Sequence, residues 1–385
     1  MKNVVVYIGI MFLPDKNALC QRAFSILESV KDMQNQPVMI GFSNELKPGQ
    51  IAQTKYDGIP CFELAYPQST RDWLRSLYDT KDIITVLEKI GTSNIKAVIL
   101  ADYRFLASVK LKNYCDKKQV HFISDIMDWF SYRDIKSISE FAKIFDTWAR
   151  IFFLYRFQER KICISKALYE MYKGSKKCVL IPGTIIPADK KWNTSNVSLS
   201  GHDLKIAFAG VPGKNCRKER VDWVIRAIGE LNQQKKLDIH FYIAGIDKQT
   251  FYEENSKLID FSDLKNIHFL GRISHEECLE LIKSSHLAVI PRERSRLNQY
   301  GFSTKISEAL ACGTPVLATE TSDVASYVIN DVNGYVCKPD YESLKQMIAY
   351  IASLPQEKLL QLKQNSKIHN PLVYMNYTEK LEEVL

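Results

Sequence analysis

Pro291-Arg-Glu-Arg-Ser-Arg-Leu-Asn298-Gln-Tyr300-Gly-Phe-Ser-Thr-Lys305-Ile-Ser-Glu308-Ala-Leu-Ala-Cys-Gly313-Thr-Pro315-Val316 is the stretch whose reading decides the fold. The apolar run 287–290 stops at Pro291, so a buried strand ends there and a loop begins. A short helix then starts near Ser303, and Gly313 with Pro315 beyond it stops that helix. Strand, loop and helix in this order aim the positive end of the helix, at residues 301–304, into the space above a sheet edge. Lys305 and Glu308 stand three apart, on one helical face.

Outward from this stretch, short apolar runs alternate with segments of helical period. The runs are 4–10, 38–42, 97–100, 120–124, 161–164 and 178–181 in the first half. In the second they are 204–209, 239–244, 267–270, 287–290, 315–318 and 334–336. Runs this short and apolar read as strands covered on both faces, and their alternation with helices predicts an α/β chain with parallel sheets. Ser274 with Glu277 forms a capping box at one helix start. Residues 187–203 turn polar and rich in Ser and Asn, as an interdomain linker does. At 385 residues, 46% hydrophobic and 25% charged, the chain is long enough for two cored domains. The expected organisation is a first domain over 1–190, a linker over 191–203, a second domain over 204–370 and a terminal helix over 371–385 that packs back on the first. Two open α/β sheets in succession place a ligand beyond the carboxyl ends of their strands.

The turn after run 204–209 reads Gly210-Val-Pro-Gly213-Lys214-Asn-Cys-Arg217-Lys218. Glycines let the backbone approach an anion closely, a following helix offers free N–H groups, and Lys214, Arg217 and Lys218 add positive charge, which together describe a diphosphate site. Such a turn is as often only a turn. In the later stretch, the helix N–H groups and Lys305 can meet phosphate, while Glu308 can accept two hydrogen bonds from a ribose diol. A surface Lys/Glu pair on a capped helix is the plainer reading of that spacing.

The run from Gly301 to Val316, with Ser322, Asp323, Tyr327 and Asn333-Gly334 behind it, resembles the donor-site signature of retaining glycosyltransferases of family 4. The likeness extends back through Gly271-Arg272, Gly245 and the turn from Gly210 to Lys218. In the first half it is carried more loosely by Pro14, Asn17, Gln21-Arg22, Asp125-Ile-Met-Asp128-Trp129, Ile164-Ser165 and Pro182-Gly183. The resemblance implies the GT-B fold, two Rossmann-like domains with a deep cleft between them. It also implies transfer of a sugar from a nucleoside-diphosphate sugar to a hydroxyl acceptor with retention of configuration. In the second domain Glu308 would bind the ribose and Lys218 the diphosphate, with Gly210, Gly213, Lys214, Arg217, Arg292, Asn298, Gly301, Phe302, Ser303, Thr304 and Lys305 around the donor. In the first, Gly9 and the loop from Asp125 to Trp129 would face the sugar and the acceptor, with Arg22 and Trp129 on the acceptor. One departure stands out: family members carry a first glutamate eight positions before the second, and this chain has Tyr300 there, its nearest upstream carboxylate being Glu293. The cluster Arg292, Arg294, Arg296 and Asn298 marks a variant donor loop.

The chemistry is departure of a nucleoside diphosphate as a hydroxyl attacks an oxocarbenium-like carbon, which fixed positive charge stabilises without solvent reorganisation. The chain has no Asp-x-Asp and its seven histidines form no ligand pattern, so neither a metal nor another cofactor is expected. Lys218, Asp125 and Asp128 are the catalytic candidates. The two aspartates serve equally as a solvated loop, with Asp128 as a helix cap.

Nine cysteines without a Cys-x-x-Cys pair fit reduced thiols of a cytoplasmic protein. Lys2 and run 4–13 lack a small-residue cleavage site, Pro14, Asp15 and Lys16 following directly, so a first strand is expected rather than a signal peptide. No run approaches the roughly 20 apolar residues of a membrane span. A net charge of +8 without a basic tail suits an acidic small ligand or an anionic membrane surface, not sequence-specific nucleic-acid binding. Phe145, Trp148, Arg150, Phe152, Phe153, Tyr155 and Arg156 form either a core helix with lifted side chains or a face on the inner membrane that meets a glycan or lipid-linked glycan acceptor. A polysaccharide-synthesis role is the expectation. Rival readings are a nucleotide-sugar epimerase of the same architecture and a non-catalytic two-domain sugar-binding protein.

Overall fold

The computed structural model describes residues 2–13, 17–127, 138–192, 203–235, 237–255 and 265–385, the side chains of 138–143 and 235 excepted. They cluster into two units. The first comprises Met1–Ile186, Tyr300–Phe302 and Val373–Leu385, and the second Pro187–Gln299 and Ser303–Leu372. Pro187 through Trp192 thus already belongs to the second unit, where Trp192 is buried; most of the polar segment that follows lies outside the described residues.

The first unit is built on an eight-stranded sheet of β1 (Val4–Phe12), β2 (Gln36–Ser43), β3 (Ile51–Tyr56), β4 (Ile59–Ala65), β5 (Ile95–Ala101), β6 (His121–Ile126), β7 (Arg160–Cys163) and β8 (Lys177–Leu180). The order is β3-β4-β2-β1-β5-β6-β7-β8. All neighbours are parallel except β3 and β4, an antiparallel edge pair in which Tyr56 faces Ile59 across the turn Asp57-Gly58. Both turn residues have positive φ, 47° and 80°, as a two-residue hairpin turn requires. One sheet face buries Val5, Tyr7, Met39, Ile99 and Ile162 under the helix Ala18–Asp32, and the other buries Val6, Ile8, Ile40 and Val98. The alternation along each strand sends successive side chains to opposite cores. The chain end returns here: Val373 bridges Ile185, and Leu381, Val384 and Leu385 enter the same core as Val5 and Tyr7.

The second unit carries six parallel strands, β9 (Leu204–Ala209), β10 (Ile239–Ala244), β11 (Ile267–Gly271), β12 (Leu287–Ile290), β13 (Val316–Thr319) and β14 (Gly334–Cys337). Their order is β11-β10-β9-β12-β13-β14. The chain winds outward from β9 to one edge, then returns to the middle and winds to the other. This reversal places β9 beside β12 and opens a crevice beyond their carboxyl ends, the position where doubly wound sheets bind ligands. Ile206, Phe208, Phe241, Ile243 and Val289 fill the core beneath. The Ser274 capping box forms as read, Ser274 Oγ accepting from the Glu277 N–H and the Glu277 carboxylate from the Ser274 N–H.

Candidate active site

Beyond the end of β9 the chain turns at Gly210, whose φ of 147° few side chains tolerate. Space matters more than conformation here. A Cβ on Gly210 would lie 2.6 Å from Lys305 Cε, and one on Gly245 would lie 2.5 Å from the Gly210 carbonyl oxygen. The two glycines let the turn and the side chain of Lys305 occupy one small volume. Lys305 itself extends from the first turn of the helix Thr304–Ala311, which Ser303 opens without a side-chain cap bond and Gly313, at φ 70°, closes.

The Lys305 ammonium ends 3.0 Å from Glu219 Oε1, and the Arg292 guanidinium donates to the same oxygen at 2.9 Å. Glu219 has no exposed side-chain surface. Burial pushes its carboxyl up, but Lys305, Arg292 and Lys218 outweigh burial and bring it down to about 2. For Lys305, burial pulls the ammonium down, Glu219 pushes it back up, and Lys218 and Arg292 pull it down again, leaving it below the usual lysine value. Arg292 follows β12 directly, its N–H bonded to Thr319 Oγ1 at the end of β13. The carboxyl ends of β9, β12 and β13 thus converge on one cluster of three cations around one carboxylate.

The loops that carry the cluster are stitched together. Arg220 donates from its backbone to the Pro291 carbonyl, grips Asp222 through two nitrogens and pairs with Glu293 at 2.9 Å. Asn298, nearly fully buried, donates to the carbonyls of Glu293 and Lys218. The Nδ2 of Asn298, anticipated as a donor contact, holds two loops in register. Glu293 is likewise engaged, with Arg220. Lys214, Arg217 and Lys218 are exposed on the turn after Gly210, with Lys218 adding its charge to the cluster, and Gly213 adopts φ 79°. Glu308 lies one turn along the helix from Lys305, its side chain 20% exposed, with His275 Nε2 3.8 Å away.

In the first unit the sequence candidates sit differently. Asp125, at the end of β6, has no exposure. Its Oδ1 accepts from Arg22 Nη2 at 2.6 Å, and its Oδ2 accepts from Arg22 Nε at 2.8 Å and Tyr7 Oη at 2.6 Å. Arg22 spends Nη1 on the carbonyls of Ile181 and Pro182. Both residues are buried counter-ions to each other, where the sequence reading placed Asp125 at the sugar and Arg22 at the acceptor. Gly9 is also buried, within β1, where a side chain would meet Leu19 and Ala101 at 3.0 and 3.3 Å, so its position reflects packing rather than an open face. Asp128 and Trp129 lie outside the described residues. Gly301 and Phe302 group with the first unit, Phe302 packing beside Ile126, Ile151 and Tyr155, while Ser303, Thr304 and Lys305 belong to the second.

Sequence reasoning missed Glu219 and Arg220. The only local signal was an acid directly after Lys218 in a basic run, a pattern that a solvated surface shares. Among the described residues no three His, Cys, Asp or Glu side chains gather as a metal site, and none of the nine cysteines is in a disulfide. No helix among them is long and apolar enough to cross a membrane.

Asp125→Ala leaves the Arg22 guanidinium buried without a counter-charge. It should cost about 3–5 kcal/mol of stability, read as a drop in denaturation midpoint by circular dichroism. A loss under about 1 kcal/mol contradicts the reading of this pair as core counter-ions.

Comparison with known proteins agrees with this layout. Residues 201–369 match the family model of Glycosyl transferases group 1. The uncharacterized glycosyltransferase MJ1178 of Methanocaldococcus jannaschii is 29% identical over 153 residues, 40% of this chain and 37% of that protein's length. Among solved structures, sucrose-phosphate synthase from Thermosynechococcus elongatus superposes with a TM-score of 0.68 at 14% identity, over 99% of this chain and 98% of that one. Anabaena Alr3699/HepE in complex with UDP and glucose superposes at 0.65 and 13% identity, with the same coverage. Residues 201–369 are therefore similar to Glycosyl transferases group 1, on a chain that has the GT-B fold.

Proposed function

We propose that the chain is a retaining glycosyltransferase that moves a sugar from a nucleoside-diphosphate sugar to a hydroxyl of a glycan or lipid-linked glycan, without a metal ion or other cofactor. The observation that carries this reading is the cluster of Lys218, Arg292 and Lys305 where β9 and β12 part. A phosphate-bearing ligand fits two cations held by one carboxylate with Lys218 beside them, and Glu308 on the same helix as Lys305 suits a ribose diol. Three of the five buried side-chain atoms that lack a partner among the described residues are here: Glu219 Oε2, Arg292 Nε and Ser303 Oγ. Buried polar atoms left open are unusual in a finished core, and the two donors, Arg292 Nε and Ser303 Oγ, suit an anionic ligand.

Fixed cations do more for a departing diphosphate than for the intact donor, because charge on the bridging oxygen grows as the glycosidic bond breaks. Lys218, exposed and next to the cluster, is the cation best placed to follow that charge. The Alr3699/HepE complex, by its description, holds UDP and glucose, which supports a nucleotide-sugar donor without identifying the base or the sugar used here.

The first unit is the acceptor side. The run 144–157 divides cleanly: Arg150 and Tyr155 turn inward to Asp102, whereas Phe145, Phe153 and Phe157 are 66, 65 and 73% exposed beside exposed Trp148, Phe152 and Arg156. Five large apolar side chains exposed along one helical segment suit the headgroup boundary of an anionic membrane, where a lipid-linked acceptor for a cell-surface polysaccharide is made.

The test of the activity is release of nucleoside diphosphate only when an acceptor is added, undiminished by EDTA, with the product's anomeric configuration read by NMR. Lys218→Ala should lower kcat about 100- to 1000-fold with a smaller change in KM. A requirement for added magnesium or manganese, an inverted product, or an unchanged kcat each contradicts its part of the proposal. For the membrane face, co-sedimentation with anionic vesicles should exceed that with neutral ones, and Phe153→Ser with Phe157→Ser should weaken it at least about tenfold. Equal recovery with both vesicle types overturns it.

A further inference from the structure

Among the described residues, Asp125 and Glu219 are ion-paired carboxylates with no side-chain exposure, and their clusters are built to different standards. In the first unit, both oxygens of Asp125 and three nitrogens of Arg22 are bonded, with Tyr7 closing the set. In the second, Glu219 Oε1 takes both Arg292 Nη2 and Lys305 Nζ while Glu219 Oε2 and Arg292 Nε have no partner. A cluster that only supports the fold gains from satisfying every polar atom it buries. The incomplete one lies beyond the carboxyl ends of β9 and β12, and the complete one leaves no polar atom open.

Lys305 has little else to keep it in place. Its ammonium lies 5.4 Å from the centre of the Phe208 ring and passes beneath Gly210. The charged groups that act on it most are Glu219 and Lys218 from the loop after β9 and Arg292 from the loop after β12, with Glu308 one turn along its own helix; Glu219 is the anion in contact with it. Two cations and burial act to discharge the lysine. Only the carboxylate opposes them.

We propose that Glu219 is a positioning residue that fixes the location of Lys305 and Arg292 and keeps Lys305 charged, so that a cationic seat for diphosphate exists before the ligand arrives. The inference rests on the donor-site reading and deepens it, assigning to this chain an internal anion that no metal or ligand supplies. Glu219 does not touch the transferred sugar. It acts through its two partners, and its removal leaves a lysine that gives up its proton more easily.

The experiment is calorimetric titration of the full chain with UDP and with inorganic pyrophosphate at pH 6 and pH 8.5. The unsubstituted protein should hold its affinity within about threefold across that range. Glu219→Gln, which keeps the shape and removes the charge, should match it closely at pH 6 and lose roughly tenfold by pH 8.5, because one unit of pKa displacement is a tenfold change in the protonated fraction. Adding Lys305→Arg should restore the flat profile, since a guanidinium does not deprotonate. Parallel profiles for Glu219→Gln and the unsubstituted protein, or failure of Lys305→Arg to restore, overturn the proposal while leaving the donor reading intact. Absence of any binding to the unsubstituted protein overturns both. If Glu219→Gln does not fold, carbon-13 NMR of the Lys305 ε-methylene in the unsubstituted protein decides. The ammonium should stay protonated through pH 8, and titration below that overturns the proposal.

Discussion

The shared contact of Lys305 and Arg292 with one oxygen of Glu219 is the constraint around which the second unit is arranged. Burying like charges within hydrogen-bond reach of one another is unfavourable unless an anion sits between them. That anion must come from a loop, and the loop must be held. Arg220 and Asn298 perform the holding, tying the segment after Gly210 to the segment after Pro291. Gly210 and Gly245 supply the room, since a methyl group at either would overlap Lys305 or the Gly210 carbonyl. The winding order of the sheet then decides where this assembly stands, because only between β9 and β12 do two neighbouring strands send their connections apart.

Much of this frame was legible in the residues alone. Every one of the twelve apolar runs became a strand, because a strand covered on both faces leaves a continuous apolar signature. The helix after Ser303 and its stop at Gly313 were legible for an equally local reason, a glycine at positive φ where the chain must leave the helix. The edge pair β3 and β4 went unread, although Asp57-Gly58 is a strong hairpin signal. Ile51–Tyr56 alternates with Gln53 and Lys55 on its exposed side, so it lacks the apolar run that marked its neighbours.

The contacts that define the clusters were not legible, for a reason of distance along the chain. Glu219 and Lys305 are 86 residues apart, and Arg22 and Asp125 are 103 apart. No spacing rule links such pairs, and each partner alone resembles a surface charge. Asp125 looked like a site residue because it ends a strand at the ligand side of a sheet, a position that an ion pair with a neighbouring helix can claim just as well. Asn298 stood out for its place in the arginine-rich loop, and its Nδ2 pins two loops together. Residue type and strand end bring a side chain to the right edge of a sheet; burial and partners decide which of those side chains remain open to a ligand.

The central claim is that the crevice beside β9 and β12 receives the diphosphate of a nucleotide. It is tested most directly by a crystal structure of the chain soaked with UDP, GDP and ADP in turn. The account predicts that at least one is bound with its phosphates in hydrogen-bond reach of Lys305 and Arg292, its ribose on Glu308, and Glu219 still joined to both cations. A nucleotide bound with its phosphates elsewhere, or phosphates that displace Glu219 from Lys305, would contradict it.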